Sequence, residues 1–261
     1  MQADIFAKRR KDNLIFFSLL GLITIASIIV TEYDVVKGFT SVFKAAVWAV
    51  ANFYPNAKAM AKLPDILPKL QETILMSISS TTFAAIFSIP FALFGSKVTK
   101  INNILGSVSR LIASIFRNVP IVAWAMVLLF SFGQSAMTGY LALFFTSFGF
   151  LVRAFIETMD ETSTSSVEAL RASGASYLQT IFQAVLPSAA PQMISWVLYT
   201  IETNIRSATL VGILTGTGIG FSFELYYKSM NYNAASLVVL VVVIVVFAVE
   251  FISNYVRRVI I

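Results

Sequence analysis

Apolar runs long enough to cross a bilayer constrain this chain more than any other feature. A helical crossing takes about 20 apolar residues. Leu14–Thr31, Thr73–Ser96, Pro187–Val211 and Ala235–Phe251 each approach or exceed that length, and Asn118–Val152 approaches twice it. The composition agrees: of 261 residues, 57% are hydrophobic and only 12% charged, with a mean hydropathy of +0.81. A soluble domain carries about twice that share of charge. The expected fold class is therefore all-α, a polytopic membrane protein of about six transmembrane helices. The chain has no cysteine and no histidine. Disulfides, thiolate or imidazole metal sites, haem attachment and Cys or Ser/His nucleophilic catalysis are thereby excluded.

Charge placement gives the topology. The net charge is +6, yet no basic stripe with interleaved aromatics occurs, so nucleic acid is not an expected partner. The first run follows Lys8, Arg9, Arg10 and Lys11. It exceeds the 7–15 residues of a signal-peptide core and lacks a small-residue cleavage site, which makes it an uncleaved anchor with its N-terminus in the cytoplasm. Val35–Asn56, with Phe39, Val42, Phe43, Val47 and Val50 at helical spacing, reads as an external interfacial helix. Pro55, Pro64 and Pro68 make residues 57–70 a broken linker. Thr73–Ser96 spans next, with Pro90 kinking or ending its last turns. The long run then divides at Ser131–Ser135 into a helix from near Leu111 and a returning helix ending near Arg153. Residues 157–166 form a water-exposed loop, and the last span closes at Arg257 and Arg258. Both termini then lie inside, with eleven Lys and Arg inside against six outside, as the positive-inside bias requires.

The most informative segment is the loop between the fourth and fifth spans. Glu168-Ala169-Leu170-Arg171-Ala172-Ser173-Gly174 is followed by ten residues and then Val185-Leu186-Pro187. Glycine permits a sharp turn between two short helices, the alanines keep a docking face shallow, and Pro187 suits a helix start. This pattern resembles the coupling loop of ABC importer permeases, E-A-A-x3-G-x9-I-x-L-P, with Glu168, Ala169, Gly174, Leu186 and Pro187 at matching offsets. Leu170 and Ala184 depart from it. Together with Glu72–Ser77 and Glu202–Thr209, the segment resembles the phosphonate-type branch of those permeases over residues 72–258. The resemblance implies a type I importer permease fold in a bacterial cytoplasmic membrane. It also implies a second permease copy, two cytoplasmic ATPases docked on the loops and an external solute-binding protein. The chain itself would hold no cofactor, with ATP and magnesium on the partner ATPase. The implied solute is a phosphonate or related phosphorus oxyanion. Another small solute, an ion-coupled secondary transporter and a membrane enzyme are the alternatives, and the last two leave the loop unaccounted for.

The domain reading follows: 1–34, basic cluster and first span; 35–71, external amphipathic segment and linker; 72–258, permease domain with a coupling loop at 160–187. Gly216-Thr217-Gly218-Ile219-Gly220 does not fit a nucleotide loop, because position 221 is phenylalanine and no Lys-Ser/Thr follows. These glycines are expected to let backbones turn or approach closely. Within the spans, Glu202 and Arg206 lie one turn apart on one helical face. Each alone costs about 2.5–3.5 kcal/mol at a helix centre, so they face the bundle. With Asn204 they either line the translocation pathway or form a structural pair. Arg117 and Ser77 are further pathway candidates, the first competing with snorkelling and the second with small-residue packing of the Ser77–Thr82 cluster. Trp48, Trp124 and Trp196 are expected as membrane-belt residues.

Overall fold

The computed structural model describes residues 2–260, and every regular element among them is a helix. The chain forms two compact units, divided between Tyr54 and Pro55. The first holds α1 (Gln2–Val30) and α2 (Val35–Asn52). α1 runs through the basic cluster without a break, and its Lys8–Val30 stretch is apolar enough to span, with mean hydropathy 2.4. Leu14, Phe16, Phe17, Leu22, Ile25 and Ile29 are all exposed, a surface that only hydrocarbon satisfies. α2 starts where the Asp34 carboxylate accepts the Lys37 backbone N–H at 2.9 Å, an N-cap.

The second unit contains α3 (Ala57–Met60), α4 (Leu63–Gly95), α5 (Asn103–Asn118), α6 (Ile121–Phe132) and α7 (Ala136–Thr162). There follow α8 (Thr164–Ala172), α9 (Tyr177–Thr180), a π-turn at Ile181–Val185, α10 (Leu186–Thr215), α11 (Gly218–Lys228) and α12 (Tyr232–Ile260). The described residues give five helices long and apolar enough to cross a membrane, or six if the bent pair α5 and α6 counts as one span.

α7 is the hub, packed by α4, α5, α6 and α10. α4 meets it with a stripe of small buried residues, Ser77, Ser80, Thr81, Ala84, Ser88, Ala92 and Gly95. Small side chains let two backbones approach where lipid offers no hydrophobic driving force. Around the contact lie Phe148, Leu151, Val152, Phe155, Ile156 and Met159 of α7.

Three sequence expectations are corrected. Residues 57–70 are not a broken linker: α4 begins at Leu63, Pro64 occupies its first turn where no N–H partner is lost, and Ala59, Ile66 and Leu70 are buried with Ile219, Ala234, Leu237 and Val238. These residues belong to the second compact unit, which begins at Pro55. The C-terminal end of α4 at Gly95 agrees with the expected span, with Pro90 inside the helix. No single helix runs out from Leu111, because α5 and α6 meet at 90° across Val119 and Pro120. Finally, α7 continues as a helix through Asp160 to Thr162 and does not end near Arg153. Its 27 residues extend ~40 Å at 1.5 Å each, beyond a ~30 Å hydrocarbon core, so its polar end stays helical in water.

The glycine run behaves as expected. Gly216 caps α10 at φ +68° and Gly218 opens α11 at φ +59°, both left-handed. The Ile219 N–H donates to the Thr73 hydroxyl of α4 at 2.8 Å. A Cβ on Gly212 would lie 2.5 Å from the Thr217 carbonyl oxygen, and one on Gly220 would overlap the Thr209 carbonyl and sit 2.8 Å from the Ile213 nitrogen. Because these neighbours are backbone, Gly220→Ala is expected to cost about 1–3 kcal/mol, read as a lower thermal-unfolding midpoint in detergent. An unchanged midpoint would show that α10 and α11 separate freely.

Candidate functional site: the coupling loop and the cavity at the helix bend

Two short helices, α8 and α9, are joined at Gly174. The Ala175 N–H donates to the Leu170 carbonyl and the Gly174 N–H to the Arg171 carbonyl, each at 3.0 Å, with Gly174 at φ +83°. This is a Schellman stop, in which a left-handed residue satisfies the last helical carbonyls. Ser176 then starts α9 with a reciprocal capping box to Gln179. Leu186 opens α10, and Pro187 sits in its first turn. α7 itself ends at Thr162, so the first residues of the segment 160–187 are helical.

One side of the loop is anchored. Val167, Thr180, Ile181, Ala184 and Val185 are buried. Arg171 Nη2 donates to the Val98 carbonyl at 2.7 Å and the Tyr177 hydroxyl to the Thr99 carbonyl at 2.8 Å. Beside them, Asp160 Oδ1 accepts the Ser96 hydroxyl at 2.6 Å and the Lys97 N–H at 2.8 Å. The loop and the end of α7 therefore grip the turn between α4 and α5. The other side is open: Glu168 and Ala169 are exposed, and Leu178 and Phe182 present 63% and 65% of their surface. Local sequence pattern does not reveal these contacts of Arg171, Tyr177 and Asp160, because their partners lie more than sixty residues away.

The second feature is a cavity of about 290 Å³ at the α5–α6 bend, lined by Arg117, Thr146, Ser147, Thr203, Asn204 and Ser207 with Phe150 and Tyr199. The Asn204 side-chain amide donates to the Thr81 hydroxyl at 2.8 Å and to the Ser147 hydroxyl at 2.6 Å, tying α10 to α4 and α7. A buried amide with both N–H groups engaged fixes helix register at low dielectric. Gly149 seats the bend: a Cβ there would lie 2.5 Å from the Arg117 nitrogen. Trp124 stacks on Phe116 at 5.3 Å, and Trp196 donates to the Thr158 hydroxyl at 3.2 Å. Both indoles are half-buried at helix contacts.

Of the five pathway candidates, Arg117 and Asn204 come together on this cavity. Ser77 does not; it is fully buried and its hydroxyl donates to the Thr73 carbonyl at 2.8 Å. Glu202 and Arg206 also lie off the cavity. They pair at 3.0 Å, and Glu202 Oε2 lies 3.9 Å from Arg257 Nη2 of α12. Arg257 was placed by sequence as a terminal charge; only the crossing of α10 and α12 brings it to Glu202.

Comparison with known proteins decides the family. Residues 84–261 match the family described as binding-protein-dependent transport system inner membrane component. The chain belongs to this family. A relative is the phosphite transport system permease protein PtxC of Stutzerimonas stutzeri, 31% identical over 189 residues, covering 72% of this chain and 69% of that protein. Another is the phosphate-import permease protein PhnE of Mycolicibacterium smegmatis, 25% identical over 250 residues, 95% of this chain; the chain spans about half of that protein, 47%. Among solved structures, an inward-facing MetNI methionine ABC transporter chain superposes with a TM-score of 0.69 at 21% identity, covering 77% of this permease and 98% of that chain. The permease therefore has the type I ABC importer fold, belongs with the phosphonate-type branch and is a multi-pass protein of the bacterial inner membrane. Its family is one of transport-system membrane components.

Proposed function

We propose that this permease imports a phosphonate or a related phosphorus oxyanion, as one of two copies coupled to two cytoplasmic ATPases and fed by an external binding protein. The observation that carries the reading is a largely apolar cavity that Arg117 and Asn204 enter, in a bundle whose first cytoplasmic turn is gripped by an exposed two-helix loop. Relatives named for phosphite and phosphate import support the solute class. The chain binds no cofactor of its own; ATP and magnesium sit on the ATPases. The exposed face of Ala169, Leu178 and Phe182 docks the ATPase, with Glu168 at its edge.

Movement of the docked loop pulls on Val98 and Thr99 through Arg171 and Tyr177, and so on α5, whose far end is the bend at the cavity. Closure of the ATPases thereby opens the cavity on one side and their reset opens it on the other. In this reading Arg117 supplies the positive field and Asn204 holds the three helices in register. Glu202, Arg206 and Arg257 hold α10 to α12, since a paired arginine is a poor anion trap.

The test is ATP-driven uptake in proteoliposomes with the ATPase and binding protein present. Saturable phosphonate or phosphite uptake is expected, with methionine not transported. Asn204→Ala strips both hydroxyls of their donor at about 1–3 kcal/mol and should lower uptake about tenfold. Arg206→Gln should leave uptake within about twofold, because Glu202 keeps Arg257. A dead Arg206→Gln with normal assembly would move the pathway to that residue, and methionine uptake would remove the solute assignment.

A further inference from the structure

α5 carries three faces. Gly106, Ser109 and Ala113 are buried where α5 packs on α4 and α7. Ile104, Val108, Leu111 and Ile115 form an exposed apolar stripe suited to lipid. Arg110, Ser114 and Arg117, at helical spacing, form a third stripe. With Arg153 of α7 and Asn118, that stripe lines a second pocket of about 160 Å³, roughly ten times the space one water needs.

Three arginines line this pocket. Arg153 pairs with Glu157 at 2.5 Å, one turn along α7. Among the described residues neither Arg110 nor Arg117 has an ion pair. Two uncompensated cations beside an apolar stripe repel each other in a medium less polarisable than water, and an anion between them removes that cost. Guanidinium forks match the oxygens of a phosphoryl or phosphonyl group, to which they bond in pairs. Arg117 also lines the larger cavity, so the two spaces share one residue. Their order along the bundle follows from the helices. Arg110 is seven residues from the start of α5 at Asn103, and Arg153 nine from the end of α7 at Thr162. Both are ~10–14 Å from the coupling-loop end at 1.5 Å per residue, whereas the cavity begins beyond them at the bend.

The geometry points to Arg110, Arg117 and Arg153 as a binding site for a tetrahedral phosphorus oxyanion on the coupling-loop side of the cavity. Where that oxyanion is the transported solute, the assignment rests on the function proposed above; where it is the headgroup phosphate of a bilayer lipid, it does not. As a solute station the pocket holds the ion after it passes Arg117. Glu157 weakens its field enough for release.

The experiment uses the full chain in nanodiscs of phosphatidylcholine alone, titrated with radiolabelled inorganic phosphate. Saturable binding is expected, at least tenfold weaker in Arg110→Gln and in Arg153→Gln, with a smaller loss in Arg153→Lys. Monodispersity by size exclusion keeps folding separate from binding. In parallel, native mass spectrometry of protein taken from membranes rich in phosphatidylglycerol reads retained lipid. Phosphate binding that needs Arg110 makes the oxyanion a solute. Retained anionic lipid, lost in Arg110→Gln, without phosphate binding makes it a headgroup. Either supports the site. Phosphate and lipid binding both indifferent to Arg110 and Arg153 overturns it. Phosphonate uptake by such an indifferent protein would leave the transport reading standing, and binding at Arg110 without any phosphonate uptake would keep the site and remove that reading.

Discussion

Gly174→Val should abolish co-purification of the permease with a co-expressed Walker-type ATPase while leaving membrane insertion intact. Gly174 has open space around it, with no atom within 4 Å of a built Cβ, so crowding is not the constraint. The constraint is φ +83°. A β-branched residue in the left-handed region costs about 1–2 kcal/mol, which depopulates the ordered turn about fivefold to thirtyfold. Both Schellman hydrogen bonds are then lost, and α8 no longer holds a fixed angle to α9. Gly174→Asn should retain more binding, since asparagine tolerates this conformation. Leu178→Glu should lose binding by a different route, placing a charge on an apolar docking face without disturbing the turn. Wild-type ATPase recovery with both Gly174→Val and Leu178→Glu would remove the docking assignment.

The second large effect is expected at Gly149. An alanine methyl there would lie 2.5 Å from the Arg117 nitrogen and 2.8 Å from the Phe116 carbonyl carbon. Neither can retreat, because Phe116 is packed among Trp124, Phe145 and Phe148. Gly149→Ala therefore forces the α5 end away from α7, at about 1–3 kcal/mol for an overpacked contact. The same shift displaces Arg117 from the cavity. Uptake should fall by at least tenfold and the unfolding midpoint should drop. Ala142→Gly, on the same helix away from the bend, should lower the midpoint without a comparable loss of uptake. If Gly149→Ala transports normally, the bend is not a fixed part of the pathway.

Much of this was legible in the chain because bilayer physics acts locally. Apolar length reveals a span whatever its neighbours, and the Glu168–Pro187 loop carries its own turn chemistry in Gly174, Ser176 and Pro187. The differences have physical reasons. Pro64 signals a break in the sequence, yet it sits in the first turn of α4, where no helical N–H is needed. Asp160 and Glu161 were read as a loop because acids cannot lie in hydrocarbon, but a helix longer than the bilayer is thick carries them beyond it.

The pairings that make the sites were not legible. Asn204 with Thr81 and Ser147, Glu202 with Arg257, Arg171 with Val98, and Arg110 with Arg153 join residues 43 to 123 positions apart. No local periodicity encodes them. Sequence alone sufficed for a helical membrane chain, one loop with its own turn chemistry and a few charges too costly to face lipid, since each of those facts is a property of a short segment in its solvent. Tertiary structure alone decided which polar groups line the cavity, which merely pair, and where the chain bends. Those outcomes depend on helix crossings, and small residues such as Gly149 and Ser88 permit them without specifying them on their own.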